Sequence, residues 1–228
     1  MENIAKKFPD EIDFLKIYDS ILLLSEHYQT ILDIHYKFLK KYSNIIDLGC
    51  GTGNLILRLL GDDKEITGVD MSEKSLSYLY SKIKQHKNVQ LIKGDITDLF
   101  QISKNSYDGV SSMISAHLVS NFEAHIKEAF RILKDGGTFI LTARAYNENQ
   151  EKIVDIVKRS LDKKGLLTSM RKDFDILCEK LLLTANNRSQ SLTSPSKAVK
   201  FFDEVGFNNI TLIENNSDNV MYTIRANK

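Results

Sequence analysis

Tryptophan is absent from this chain, and proline and cysteine occur only twice each. The two thiols, Cys50 and Cys178, stand far apart in sequence, which argues against a disulfide-stapled scaffold and for a reducing, cytoplasmic setting. The opening stretch MENIAKKFPDEIDF holds no apolar run of signal-peptide length. Long hydrophobic runs are missing elsewhere too: ILLL at residues 21–24 falls far short of the roughly 20 residues that a bilayer span requires. No membrane partner is expected. An excess of one charge is also lacking, because 31 Lys and Arg against 30 Asp and Glu leave a formal net charge of +1. Without a global field, neither nucleic acid nor an anionic surface is favoured as a partner. What the chain does have is length and apolar content: 228 residues, 42% of them hydrophobic, suffice for one full core with a smaller covering element.

Residues 10–42 carry Phe14, Leu15, Ile17, Tyr18, Ile21 and Leu22, then Tyr28, Ile31, Leu32 and Leu39, near helical spacing. This predicts two amphipathic helices, or one long helix broken around Ser25. Beyond Ser43 the pattern alternates: NIIDLG, NLILRLL, EITGVD, SEKSLSYLYSKIKQH and VQLIKGD read as strand, helix, strand, helix, strand. Such alternation implies βαβ units and a parallel sheet. YDGVSSMIS predicts a fourth strand, FEAHIKEAFRIL a helix ended by Asp135-Gly136-Gly137, and TFILTAR a fifth strand. Residues 146–187 are charged and helically spaced, too long for a bare loop, and predict inserted helices. KAVKFFDEV, opened by Ser194-Pro195-Ser196 and stopped by Gly206, predicts another helix, and NITLIE with NVMYTIR a hairpin about residues 215–218. The organisation expected is an N-terminal helical cap over residues 1–41 and an α/β domain over 42–228 with a helical insertion at 146–190.

The run Asp47-Leu48-Gly49-Cys50-Gly51-Thr52-Gly53 follows a buried-looking strand and opens a helix, the context in which glycines suggest a ligand loop. Glycine permits positive φ and lets a ligand approach the backbone closely. Asn54 stands where the dinucleotide fingerprint has its third Gly or Ala, and no Lys-Ser/Thr pair follows the last glycine, as a triphosphate loop would require. Asp47 puts a carboxylate beside the loop, ill suited to a pyrophosphate but apt for a ligand carrying an ammonium and a sulfonium. Asp70 ends the second predicted strand, where an acid can accept both ribose hydroxyls, although capping of the next helix competes as its role. Asp95 ends the third in KGDI, placed to take an adenine amino group, with Ile96 against one face of the ring and Met71 over the other.

IIDLGCGTGNL, GVDMS, KGDITDL, YDGVSSM and FRILKDGGTFILTA, in this order, resemble the class I S-adenosyl-L-methionine-dependent methyltransferases over residues 42–141. The resemblance implies a Rossmann-like seven-stranded methyltransferase sheet whose last strand runs antiparallel. It further implies that Asp47, Gly49, Cys50 and Gly51 hold the methionine part of the cofactor, Asp70 the ribose, and Asp95 with Ile96 the adenine. Met71 and Ser112 complete the expected cofactor shell. The stretch after the fourth strand lacks the Asn/Asp-Pro-Pro-aromatic tetrad of enzymes that methylate amino groups on nucleobases or glutamine and the Pro-Cys of cytosine C5 methylation, which counts against those substrates; the acceptor expected is an O or N of a small-molecule metabolite.

Methyl transfer from a sulfonium is an in-line displacement that needs alignment more than it needs side-chain chemistry, so no catalytic residue declares itself. Three are candidates. His117 has a near-neutral imidazole, weighed against a structural role under the next helix. Arg144 offers a fork for a substrate anion, weighed against a solvated surface position. Tyr18, in a Lys-Ile-Tyr-Asp stretch resembling the segment that closes over the cofactor in small-molecule methyltransferases, is weighed against a core aromatic. His27, His35, His86 and His125 show no metal spacing and are read as surface or packing residues. The N-terminal helices and the insertion are expected to form a helical lid, better matched to a small metabolite than to a polymer. Non-methylating use of the cofactor, such as cleavage or cyclisation of its aminocarboxypropyl arm, and a regulatory binding protein stay open at this level.

Overall fold

Seven strands form one sheet: β1 (Asn44–Leu48), β2 (Glu65–Asp70), β3 (Val89–Lys93), β4 (Tyr107–Met113), β5 (Leu133–Arg144), β6 (Asn208–Ile213) and β7 (Met221–Asn227). The computed structural model describes residues 9–61, 63–145, 150–185, 193–213 and 220–228. The strand order is β3-β2-β1-β4-β5-β7-β6, with β1 to β5 parallel and β7 antiparallel to both of its neighbours. Because crossover helices cover both faces, central strands are buried on both sides, as in β1, where Ile45, Ile46, Asp47 and Leu48 are all buried.

Helices α1 (Glu11–Leu22) and α2 (Glu26–Leu39) precede the sheet and are separated by a break ending at Ser25. Helices α3 (Asn54–Leu59), α4 (Glu73–Ile83) and α5 (Phe122–Ile132) make the crossovers, α6 (Gln150–Lys163) and α7 (Arg171–Ala185) form the insertion, and α8 (Pro195–Val205) returns the chain to the sheet. One core lies under α5 and α8, where Phe139 stacks on Phe202 with centroids 5.3 Å apart. The opposite core joins Leu32 and Leu39 of α2, Ile56 of α3 and Leu79 of α4 to Ile45, Ile66 and Ile140 of the sheet. Ile21 of α1 packs with Val157 and Leu161 of α6 and Phe174 and Leu177 of α7, so the first helix and the insertion share a small core of their own.

Two boundaries differ from the sequence expectation. Helix α5 stops at Ile132, ahead of Asp135-Gly136-Gly137, and β5 already begins at Leu133, which pairs with Tyr107 and is wholly buried. Sheet pairing here overrides a locally helical pattern. Strand β3 ends at Lys93, so Asp95 lies in the loop beyond the strand. The turn at 215–218 and the insertion's outer parts, residues 146–149 and 186–190, lie outside the described residues.

Candidate active site

The loop between β1 and α3 is tied down mostly through its own amides. Gly49 and Cys50 donate their N–H groups to the Val69 carbonyl at 2.8 and 3.0 Å, Gly51 donates to Asp70 Oδ2 at 2.8 Å, and Gly53 donates to the Cys50 carbonyl at 2.8 Å. These amides are therefore spent on the protein, and the loop offers a ligand room instead of donors. At Gly51, with φ +51°, an added Cβ would meet nothing within 4 Å, whereas at Gly49, with φ +76°, it would lie 2.3 Å from Ser115 Cβ. Gly49 is thus required by packing and Gly51 faces open space.

Asp47 is 2% exposed, and its Oδ1 has no hydrogen-bond partner. Burial pushes its carboxyl up to about 6, the Ser111 hydroxyl draws it down by hydrogen bonding, and the nearby Asp70 charge raises it again. An orphaned buried carboxylate oxygen carries a desolvation cost that a cationic ligand would relieve. Asp70 accepts from Gly51 at Oδ2 and from the Ser72 amide at Oδ1, both at 2.8 Å. A carboxylate has about four acceptor sites, so two remain for hydroxyl donors. The helix cap that competes for Asp70 is supplied by Ser72, whose hydroxyl accepts from the Ser75 amide at 3.1 Å. Asp95 Oδ1 closes a turn by accepting from the Thr97 amide and hydroxyl, each at 2.8 Å. Beside it Ile96 is buried, while Met71 is 67% exposed, an unusual setting for a large apolar side chain.

After β4 the chain turns sharply at Ile114, a β-branched residue at φ +59° whose N–H donates to the Thr142 carbonyl at 2.9 Å. Strain of this kind is held only where the surroundings fix it, and here it carries Ser115 back against Gly49. The Ser115 hydroxyl donates to the Leu48 carbonyl at 2.7 Å and lies 2.9 Å from Ser112 Oγ. Ser112, expected in the cofactor shell, is fully buried with its hydroxyl on Ser115 and on His125 Nε2 at 2.9 Å. Its side chain therefore supports Ser115 and the loop from behind.

Of the three candidate catalytic residues, His117 is 5% exposed in a 3₁₀ turn at Ala116–Leu118. Arg144 stands half-buried at the end of β5, and Tyr18 is half-buried on α1, its ring 6.3 Å from that of Phe14. The structure thus keeps them on three different elements: the turn after β4, the end of β5 and the first helix. Around the ends of β4 and β5 lies an apolar group: Ile31 of α2, Ile153 of α6, Val220 and Met221 before and on β7, with Met113 and Ile114 beside them. Cys50 is buried, and burial followed by the neighbouring carboxylates raises its thiol well above the usual range, so it is an inert packing residue. A hollow of about 370 Å³ lined by Asn44, Thr67, Asn88 and Tyr107 lies at the opposite end of the strands and shares nothing with this loop.

One feature escaped the sequence reading, and two residues left there as surface or packing prove to be packed. Asp19, one residue after Tyr18, is buried and accepts from Thr52 Oγ1 at 2.5 Å, Asn54 Nδ2 at 2.9 Å and Lys82 Nζ at 2.9 Å, clamping α1 onto the glycine loop and α4. His35 and His125, read as surface or packing residues, are wholly buried and hydrogen-bonded at both ring nitrogens. Only the amphipathic phase of their helices, which puts His35 between Leu32 and Leu39 and His125 beside Ile126, hinted at burial. Among the described residues no group of three or more His, Cys, Asp or Glu could hold a metal ion, and no helix is long and apolar enough to cross a membrane.

Known proteins match this arrangement. The chain is 36% identical over 102 residues to a demethylmenaquinone methyltransferase of Leptospira interrogans, covering 42% of this chain and 41% of that protein. It is 27% identical over 142 residues to the enzyme of the same name from Staphylococcus epidermidis, covering 61% and 56%. The chain therefore spans about two-fifths to just over half the length of these curated relatives. Among solved structures, a SAM-dependent methyltransferase from Aquifex aeolicus superposes with a TM-score of 0.63 at 14% identity over 96% of this chain and 98% of that one. A geranyl diphosphate C-methyltransferase from Streptomyces coelicolor, solved with Mg2+, geranyl diphosphate and S-adenosyl-L-homocysteine, does so with a TM-score of 0.59 at 13% identity over 86% and 77%. At these identities the structures establish the fold. The model of the methyltransferase domain family matches residues 39–206, most of the chain, and the protein belongs to that family of class I S-adenosyl-L-methionine-dependent methyltransferases.

Proposed function

We infer that the protein transfers the methyl group of S-adenosyl-L-methionine to a small molecule with a large apolar part. The observation that carries the cofactor half is Asp47: a buried carboxylate oxygen without a partner, at the head of the loop in which Gly51 faces open space. Asp47 takes the ammonium group, Asp70 the ribose hydroxyls through its two free acceptor sites, and Asp95 the adenine amino group, with Ile96 and Met71 on the ring faces. When bound, the cofactor supplies a methyl group on a sulfonium, already activated for displacement. The chain's task is to hold a nucleophile in line with it and to keep water away.

The acceptor half rests on the apolar group formed by Ile31, Met113, Ile114, Ile153, Val220 and Met221 at the ends of the central strands. Apolar side chains at this end of the sheet favour a hydrophobic acceptor over a nucleic acid or a peptide, and the demethylmenaquinone in the relatives' names is of that kind. The acceptor atom expected from the sequence is O or N, and a quinone-type acceptor adds a ring carbon. Helices α1, α6 and α7, joined by their shared core, act as the lid over this side. In this reading the candidates divide the work: His117 removes a proton from the acceptor, Tyr18 closes on the cofactor from the lid, and Arg144 meets an acceptor oxygen.

The test uses methyl-labelled S-adenosyl-L-methionine with demethylmenaquinol and, separately, a metabolite extract, followed by mass spectrometry of the labelled product. Label on an apolar small molecule is the expected result. Label released only as methylthioadenosine would overturn methyl transfer in favour of cleavage of the aminocarboxypropyl arm. Asp70→Ala should weaken S-adenosyl-homocysteine binding by about tenfold or more in calorimetry, as lost hydrogen bonds to a charged group do; unchanged affinity would remove Asp70 from the site.

A further inference from the structure

Two loops of the site meet beside the end of β4. Asp95 and Ile96 belong to the loop after β3, Leu48 and Gly49 to the end of β1 and the glycine loop, and the side chains between them come from α5 and the end of β4. His125 of α5 sets its Nδ1 3.1 Å from the Ile96 carbonyl and its Nε2 2.9 Å from Ser112 Oγ. Ser112 Oγ lies 2.9 Å from Ser115 Oγ, and the Ser115 hydroxyl donates to the Leu48 carbonyl at 2.7 Å. The path runs without a gap from the backbone of one loop to the backbone of the other, and His125, Ser112 and Ser115 are all buried along it. The loops also adjoin directly: a Cβ added at Gly49 would come within 3.8 Å of Ile96 Cδ1 as well as striking Ser115.

The two flanks of this region are held differently. On the β2 flank the ties are mostly backbone: Gly49 and Cys50 donate to the Val69 carbonyl, and Gly94 donates to the Asp70 carbonyl at 3.1 Å, which keeps the loop after β3 beside Asp70. On the β4 flank the tie runs through side chains. A carbonyl only accepts, so Nδ1, facing Ile96, carries the ring proton, and burial keeps the His125 ring neutral, with its pKa down to about 4. Nε2 therefore accepts from the Ser112 hydroxyl. That leaves the Ser115 proton to serve the Leu48 carbonyl and Ser112 Oγ together, as a three-centre bond. The ring is fixed by packing as well, edge-on to Phe139 of β5 with centroids 6.3 Å apart.

We propose that His125 is a positioning residue for cofactor binding: it fixes the loop carrying Asp95 and Ile96 against the glycine loop, so that the two ends of the cofactor find their contacts at a set separation. This role rests on the reading of Asp95 and Ile96 as the adenine end of the site and of Asp47 and Gly51 as the methionine end. His125 touches no ligand in it and acts through Ser112 and Ser115. A division among ligands follows. Adenosine meets only Asp70, Asp95 and Ile96, which the Gly94 amide already holds together, whereas S-adenosyl-homocysteine spans both loops and needs their separation preset.

The experiment is calorimetry of the full chain with S-adenosyl-homocysteine and, in parallel, with adenosine. The wild type should bind both, and Asp95→Ala should lose adenosine affinity; absence of either result overturns the reading of the adenine end and the role of His125 with it, whatever the His125 variants do. His125→Leu should weaken S-adenosyl-homocysteine about tenfold, the order of cost that a preset arrangement removes, while leaving adenosine unchanged. Ser112→Ala, which breaks the same path one step further on, should give the same loss, and the double variant no more than either alone. His125→Gln, whose amide again offers one donor and one acceptor, should recover most of the affinity. Wild-type affinity for S-adenosyl-homocysteine in His125→Leu overturns the proposal. Equal weakening of both ligands also overturns it, because it marks a general packing role, and so does a double variant in which the two losses add. Ser112→Ala gives the same readout where His125→Leu does not fold.

Discussion

Asp47 is costly to the protein that carries it. Its carboxyl is raised from the ordinary value to about 6, first by burial, so the folded chain holds this proton more tightly than the unfolded chain does. The sign follows from linkage: between the unfolded value near 4 and the folded value near 6, stability falls as pH rises, and above that window the whole penalty, about 3 kcal/mol, is in force. Asp47→Asn keeps the shape and removes the charge. The variant is expected to unfold at higher urea than the wild type at pH 7.5, by up to that amount, with the difference vanishing near pH 4. At the same time it should lose cofactor affinity. Lower stability of Asp47→Asn at pH 7.5 would mean that the carboxylate is better compensated in the free protein than its unpartnered Oδ1 indicates. A residue that weakens the free fold and strengthens the liganded one is what a binding site requires, and it makes S-adenosyl-homocysteine a stabilising ligand whose effect grows with its concentration.

The elements that carry the site were legible to different degrees. Strands β1, β2 and β4 and their loops could be read because each is a short β-prone run closed by a turn or an acid, and these signals are local. The antiparallel β7 came from the family likeness, since no periodicity orders a sheet. The end of α5 was misplaced because Leu133 to Asp135 have helical character until Tyr107 offers them a partner strand. Asp19 could not be assigned from sequence at all: its partners Thr52, Asn54 and Lys82 come from the glycine loop, α3 and α4, and one acid on an amphipathic helix looks like any solvated residue. The clamp nevertheless decides how α1 sits. Asp19→Ala strands the Thr52 and Asn54 donors in a buried place and frees Lys82, at an expected cost of about 2–4 kcal/mol. Urea unfolding should show the lower midpoint with an unchanged slope, and Asp19→Asn, which still accepts from Thr52 and Asn54, should recover part of it. A loss under 1 kcal/mol in Asp19→Ala would show that α1 is held by its apolar contacts with α6 and α7 alone, and in that case weakened cofactor binding would not be expected either.

For the whole molecule, the buried histidines set the acid limit of the fold. His35 and His125 lie on opposite faces of the sheet, each wholly buried and hydrogen-bonded at both nitrogens, and burial lowers their pKa values to about 3 and about 4. Unfolding lets both rings take a proton that the folded state refuses. Stability is therefore complete above the unfolded value near 6.5 and is lost as pH falls below it, by about 1.4 kcal/mol per pH unit for each ring. Asp47 works in the opposite sense below pH 6, where its own protonation relieves the folded state, so one of the two slopes is largely cancelled there. The expected profile is a steep fall from pH 6.5 to 6 and a gentler one below, measurable as the urea midpoint at half-unit steps. Asp47→Asn, which removes the compensating group, should keep the steep slope down to pH 5. A wild-type midpoint that stays constant from pH 7.5 to 5.5 would mean that at least one ring is protonated in the fold. The sequence hints at the burial of both residues through the amphipathic phase of their helices, but their partners lie on strands that only the fold brings to them. The fold sets His35 against Ser111 and His125 against Ser112, neighbouring residues of β4 that face opposite sides of the sheet, so its acid tolerance is built into the strand that ends beside the glycine loop.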